Sequence, residues 1–202
     1  MKIVAISGSL RVASTNSALV RAAAALAPEG MEVVVYDGLA GLPHFSPELD
    51  GPPGTEGAPA AVRDLRGLLA GADGALVCTP EYAFGMPGSL KNALDWLVTS
   101  GELWRLPVVA LSASPSALGG EKAHAALLLT LSALEAQVVA EGSLSIPFVT
   151  TKVSKGGEIT DPATARALQV SLAALARAVE GGANSSPAPA VSEDTEGNDD
   201  AR

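Results

Sequence analysis

The sequence predicts an α/β protein built on a doubly wound parallel sheet of five strands, with helices on both faces. Three observations predict it. Short apolar runs rich in β-branched residues alternate with longer stretches of helical period. Those runs are apolar on both faces, as strands covered by helices on either side must be. The chain has 202 residues and is 48% hydrophobic, enough for one domain with a substantial core.

Lys2 to Ile6 is the first predicted strand. Ala18, Leu19, Ala22, Ala23 and Leu26 carry the first helical stripe. Between them lies a polar loop, Ser7 to Ser17, with five hydroxyl residues around Arg11 and Asn16 and no acid at all. Gly8 permits a tight exit from the strand, and Ser14, Thr15 and Asn16 are capping types. A strand, a polar loop and a helix start together favour an anion, because free backbone N–H groups and the helix dipole both point at it. Arg11 can pair two phosphate oxygens at once. An ordinary well-capped turn would explain Ser14 to Asn16, but it leaves an unneutralised arginine among many donors without a reason. The loop has neither the Gly-Lys-Ser/Thr ending of a P-loop nor the Gly-x-Gly-x-x-Gly fingerprint of a dinucleotide site.

Glu32 to Tyr36 is the second strand. Asp37 to Pro59 is a long stretch dense in Gly and Pro, of the kind that is usually functional or mobile. Val62, Leu65, Leu68 and Leu69 form the next helical face, stopped at Gly71. Gly74 to Thr79 is the third strand, ending at Cys78 and Thr79. Pro80 to Pro87 is a loop, and Ser89 caps a helix to about Val98. Leu106 to Ser112 is the fourth strand, Ala113 to Gly120 a loop of small residues, and Glu121 to Ala136 an apolar helix. Gln137 to Ala140 starts the fifth strand. Asp161 and Pro162 open a last helix as cap and first-turn proline.

Five strands with one helix each suggest the flavodoxin-like order 2-1-3-4-5. Ligands in such sheets bind at the carboxyl ends of the strands, at the switch point between the first and third. That rule selects the loops Ser7–Ser17, Pro80–Pro87 and Ser112–Gly120. In the second loop, Tyr82 and Phe84 are two of seven aromatic residues in the chain, and suit a flat ligand. Packing over the loop is an equally good reading of Phe84.

The remaining composition mostly excludes. No apolar run reaches membrane-spanning length, and Met1 leads directly into the first strand, so neither a leader nor a membrane anchor is expected. A cytoplasmic protein is the expectation. One cysteine rules out an internal disulfide, and Cys78 reads as a small buried side chain. Two isolated histidines, His44 and His124, give no metal site. A net charge of −9 argues against nucleic acid. Five acids and one arginine of that balance lie in 183–202, a polar, aromatic-free stretch read as a disordered acidic tail beyond a domain of residues 1–182.

Gly-Ser-Leu-Arg-x-x-Ser-x-Asn after the first strand, together with Pro-Glu-Tyr-x-x-x-x-Pro-Gly-x-Leu-Lys-Asn-Ala-x-Asp-Trp after the third, resembles the NADPH-dependent FMN reductase family over about residues 1–182. The resemblance implies FMN as cofactor, NADPH as donor (NADH being the alternative), and a homodimer or homotetramer. It implies that Ser9, Arg11, Ser14, Asn16 and Ser17, with Thr15 between them, contact the FMN phosphate. Pro80, Glu81, Tyr82 and the backbone near Ala83, with Phe84 beside it, would line the ring. Ser112 and Ser114, with Gly119 and Gly120 beyond, would form the far wall. Many members carry Asn where this chain has Ala83, so a polar contact there would come from backbone. The implied reaction is hydride transfer from NADPH to FMN and on to an acceptor: a flavin, a quinone, an azo compound or a metal oxyanion. Such chemistry needs no acid–base pair. The start of the helix after Gly120 is expected to stabilise charge on reduced flavin, and Trp96 to be covered by a partner subunit. The sequence is also compatible with two alternatives: an electron carrier that binds FMN without reacting with NADPH, and a colourless phosphate-binding or scaffold protein.

Overall fold

The computed structural model describes residues 1–51, 57–154 and 156–183. In chain order the elements are β1 (Lys2–Ser7), α1 (Thr15–Ala25), β2 (Glu32–Tyr36), α2 (Ala60–Ala70), β3 (Gly74–Thr79), α3 (Gly88–Asp95), β4 (Pro107–Ala113), α4 (Glu121–Ala133), β5 (Gln137–Val138), β6 (Leu144–Ile146) and α5 (Pro162–Ala183). The strands pair in parallel in the order β2-β1-β3-β4-β5, with β6 also on β4, the flavodoxin-like arrangement. The stretch read as a disordered tail lies outside the described residues, save for Ala183 at the end of α5.

Side chains alternate across each strand, and the two faces bury two cores. Ile3, Ala5, Leu76, Val109 and Leu111 meet α1 and α5 through Leu19, Ala23, Leu168 and Leu172. Val4, Ile6, Val77, Val108 and Ala110 meet α2, α3 and α4 through Leu65, Leu69, Leu90, Leu94, Leu127 and Leu131. The final helix is capped as expected: Asp161 Oδ2 accepts from the Thr164 N–H at 3.0 Å and from its hydroxyl at 2.6 Å. Those bonds hold the Asp161 carboxyl below its ordinary pKa.

Three local expectations change. The fifth strand is in two pieces. β5 pairs Pro107 and Val108, the chain then turns through Ala140–Gly142, and β6 pairs Leu111 to Ala113. Ser143 bridges the gap, its Oγ accepting from the Ala110 N–H at 3.0 Å and donating to the Val139 carbonyl at 2.9 Å. Helix α3 starts at Gly88, preceded by Pro87 rather than capped by Ser89, and ends at Asp95. Gly8 is needed for close packing and not for an unusual φ: a Cβ there would lie 2.8 Å from Leu90 Cδ2.

The largest correction concerns Trp96. It is fully buried within the subunit, beneath the stretch between β2 and α2. Phe45 meets its ring edge-on at 5.1 Å, and its indole N–H donates to the Pro43 carbonyl at 2.9 Å. Asn92 clamps the same segment, donating to the Pro43 carbonyl at 2.9 Å and accepting from the Phe45 N–H at 2.8 Å. Asp50 pairs with Arg66 at 2.7 Å. The Lys-Asn-Ala-x-Asp-Trp signature is therefore largely architecture: Asn92 and Trp96 fasten a loop, and Lys91 pairs with Asp95 at 2.5 Å on the surface. Trp96 offers nothing for a second subunit to cover.

Candidate functional site

A cleft of about 440 Å³ opens at the carboxyl ends of β1, β3 and β4, where the strand order reverses. Four segments line it: Ser9, Arg11 and Ala13–Asn16 from the first loop; Pro80, Glu81 and Tyr82 from the second; Ala113, Ser114 and Pro115 from the third; and Thr150, Val153 and Ser154 beyond β6.

The first loop is organised by its own hydroxyls. Ser14 caps α1, its Oγ accepting from the Ser17 N–H at 3.2 Å, and its carbonyl accepts from the Ala18 N–H at 3.0 Å. The N–H groups of Thr15 and Asn16 open the helix with no intrahelical acceptor. Ser7 Oγ and Ser17 Oγ lie 2.9 Å apart, tying the end of β1 to the helix. Arg11 is exposed and is the one cation among the described residues lining the cleft.

Asn16 is 3% exposed, and its amide is engaged inward. Nδ2 donates to the Ala113 carbonyl at 3.2 Å, and Oδ1 accepts from the Cys78 thiol at 3.2 Å. One side chain thus joins the carboxyl ends of β3 and β4 to the start of α1. Burial pushes the Cys78 thiol far up, which keeps it protonated as the donor in that bond.

The second loop leaves β3 through Pro80 and folds into a two-residue turn. Tyr82 and Gly85 exchange both backbone hydrogen bonds, at 2.9 and 3.0 Å. Ala83 and Phe84 sit at its centre with φ of 49° and 61°. Two consecutive left-handed residues are what a type I′ turn demands, and Asn or Gly suits them better than Ala or Phe. The Ala83 departure noted in the sequence is therefore a matter of backbone conformation. Tyr82 is 48% exposed at the rim and Phe84 is 78% exposed beyond it.

Glu81 lines the cleft, and its carboxylate is engaged by α4. Oε2 accepts from the N–H groups of Lys122 at 2.9 Å and Ala123 at 3.1 Å. The start of α4 is thereby already occupied by a carboxylate, which corrects the expectation of a free helix end facing the ring.

Ser112 lies behind the wall. Its Oγ is 2.9 Å from the Gly119 carbonyl and 2.8 Å from Ser145 Oγ. Gly119, with φ 63°, fits against Ile146 and Pro147, where a Cβ would approach backbone atoms to 2.9 Å. Ser114 reaches the cleft itself. Of the fourteen residues expected to contact cofactor, nine line the cleft: Ser9, Arg11, Ser14, Thr15, Asn16, Pro80, Glu81, Tyr82 and Ser114. Ser17, Ala83, Phe84, Ser112 and Gly119 stand behind or beside it.

The segment after β6 was missed in the sequence. Thr150, Val153 and Ser154 form a wall that the third loop holds, through N–H bonds from Val149 to the Ser114 carbonyl at 3.1 Å and from Phe148 to the Ser116 carbonyl at 3.2 Å. Its readable signal was the Gly156-Gly157 pair, a turn marker after which Glu158 returns its N–H to Ser154 Oγ at 3.1 Å.

The donor set fits a phosphate ester at the helix start. The volume lies within the range of pockets that take organic cofactors, roughly 300–1,000 Å³, and the Pro80–Tyr82 stretch offers a flat edge. Residues 1–151 match the family described as NADPH-dependent FMN reductase. A quinone reductase of Escherichia coli is 32% identical, the alignment covering 81% of this chain and 87% of that protein. An NAD(P)H-dependent FMN reductase of Pseudomonas aeruginosa is 32% identical, over 87% of this chain and 93% of its own. The solved structure of the flavoenzyme NAD(P)H:(acceptor) oxidoreductase FerB from Paracoccus denitrificans superposes with a TM-score of 0.77 at 27% identity, covering 89% of this chain and 97% of that one.

Proposed function

The chain belongs to the NADPH-dependent FMN reductase family, and on that premise we propose that its cleft holds FMN with the phosphate on the first loop and the ring along Pro80 to Tyr82. The protein is an oxidoreductase with FMN as cofactor and NADPH as electron donor. Bound FMN supplies hydride exchange at its N5, between the nicotinamide and the acceptor. The chain supplies position and charge. Arg11 pairs with the phosphate, the N–H groups of Thr15 and Asn16 donate to it, and Ser9 and Ser14 complete the cradle. Ser17 and Asn16 hold that cradle to the sheet. Pro80 and Tyr82 line the ring, Ser114 closes the opposite wall, and Ser112 holds the third loop through the Gly119 carbonyl. Ala83 and Phe84 form the rim.

The observation that carries this reading is the meeting of the arginine-bearing hydroxyl loop and the Pro80–Tyr82 stretch in one cleft at the switch point. The half-exposed Tyr82 and exposed Phe84 leave the ring side accessible, as a reaction with NADPH requires and a sealed electron carrier does not. A quinone is the proposed acceptor, by likeness to the Escherichia coli quinone reductase. We place the enzyme in the cytoplasm, where NADPH is available, as a homo-oligomer. Leu118 and Leu129, at and beside α4 and both exposed, are the surface such an assembly would cover.

The test is anaerobic mixing of the FMN-loaded protein with NADPH, followed by a quinone. Rapid bleaching of the visible flavin band and its return on quinone addition are the expected result. A bound flavin that NADPH leaves oxidised would overturn the reading.

A further inference from the structure

Among the described residues lining the cleft, Glu81 is the one acid, and its carboxylate is committed to a helix in another part of the chain. Lys122 and Ala123 are the second and third residues of α4. Their N–H groups, like all first-turn donors, lack intrahelical acceptors, and Glu81 Oε2 accepts both. The helix has no side-chain cap of its own, for Gly120 precedes it with φ 84°. The packing there is close. A Cβ on Gly120 would lie 3.4 Å from Glu81 Cβ and 3.6 Å from Ser114 Cβ, and both of those residues line the cleft. The start of α4 is thus one layer of atoms behind the wall. Uncapped, a helix of this length would present roughly half a positive charge there. The other charges of that turn, Glu121 and Lys122, pair with each other at 3.3 Å on the surface and largely cancel.

We propose that Glu81 is a positioning residue with an electrostatic effect on the cofactor: its carboxylate fastens the Pro80–Tyr82 loop to α4, and it cancels the positive helix end behind the ring. The inference rests on the reading that FMN lies in this cleft. A positive end behind the wall would favour the reduced flavin, which carries more negative charge. A carboxylate placed on that end removes the preference and leaves the flavin a stronger reductant toward its acceptor.

The experiment compares wild type, Glu81→Gln and Glu81→Ala. Glutamine keeps an acceptor oxygen for the two N–H groups but no charge; alanine removes both. Three quantities are read: the FMN dissociation constant by fluorescence, the midpoint potential of bound FMN against a reference dye, and amide exchange of residues 81–86 and 121–123 in the flavin-free protein. Glu81→Gln should keep FMN affinity within about threefold and keep wild-type exchange, because acceptor geometry survives. Its reduction equilibrium should move about tenfold toward the reduced form, an upward shift of about 30 mV for a two-electron couple. Glu81→Ala should shift the potential the same way, speed exchange of both segments about tenfold, and weaken FMN about tenfold, because the loop is released. An unchanged or lowered potential in Glu81→Gln overturns the electrostatic part, and unchanged exchange in Glu81→Ala overturns the fastening part. Should Glu81→Ala fail to fold, Glu81→Gln decides by its potential. A wild-type protein that takes up no FMN refutes the FMN reading instead, and the exchange data still decide whether Glu81 holds the loop.

Discussion

Replacing Asn16 by alanine separates two ways in which this residue can serve the site. In the structure its amide faces inward, donating to the Ala113 carbonyl and accepting from the Cys78 thiol, both at 3.2 Å, with 3% of the residue exposed. Water cannot take over either bond without entering the core. Leaving a buried carbonyl without its donor costs about 1–3 kcal/mol, and the thiol bond contributes about 0.5–1.5 kcal/mol net. The space vacated by the amide adds to this, so the expected loss is about 2–4 kcal/mol. For a chain of this size, where 1 kcal/mol moves Tm by about 2–4 °C, that is a fall of roughly 5–15 °C. The flavin-free and FMN-loaded proteins should both show it in thermal or urea unfolding. FMN affinity should weaken by less than about tenfold, since the backbone N–H of residue 16 remains at the helix start. The reverse pattern, stability within about 0.5 kcal/mol of wild type and FMN binding lost by a hundredfold, would show that the amide contacts the phosphate directly and that the inward bonds are wrong.

Three further outcomes are expected. Trp96→Ala should cost about 3–5 kcal/mol, whereas Trp96→Phe should cost nearer 1 kcal/mol because Asn92 still donates to the Pro43 carbonyl; sedimentation of Trp96→Phe should match wild type, and a change of assembly would contradict a wholly internal Trp96. Ala83→Gly should stabilise by up to about 1 kcal/mol by relieving a left-handed backbone, and Ala83→Val should destabilise by about 1–2 kcal/mol; urea titration of both variants would expose the opposite order. Deleting residues 184–202, which we propose to be dispensable, should leave Tm and turnover unchanged, and a large loss of either would show that this stretch docks on the domain.

The architecture was legible because burial on both faces writes itself into strands such as Gly74–Thr79 as unbroken apolar runs, and because capping residues such as Asp161 act within a few positions. The first loop was legible for the same local reason: Ser14 caps the helix that follows it. What escaped were contacts between residues distant in the chain. Asn16 finds Ala113, Glu81 finds α4, and Trp96 finds Pro43 and Phe45, and none of these pairs is written in any local period. The split of the fifth strand escaped because Ser143 replaces a missing ladder bond with a side chain, which no propensity anticipates. The wall of Thr150, Val153 and Ser154 carries no apolar pattern at all; it is set by hydrogen bonds to Ser114 and Ser116.

The central claim is that the first loop holds the phosphate of FMN through Arg11, and a pair of titrations tests it most directly. FMN and riboflavin share one ring and differ by the phosphate. A charge-assisted hydrogen bond contributes about 1.5–3 kcal/mol, so Arg11→Ala should weaken FMN binding by about ten- to a hundredfold. Riboflavin, already weaker on wild type, should bind the variant unchanged. Equal losses for both ligands, or no loss for either, would contradict the assignment of the phosphate to this loop.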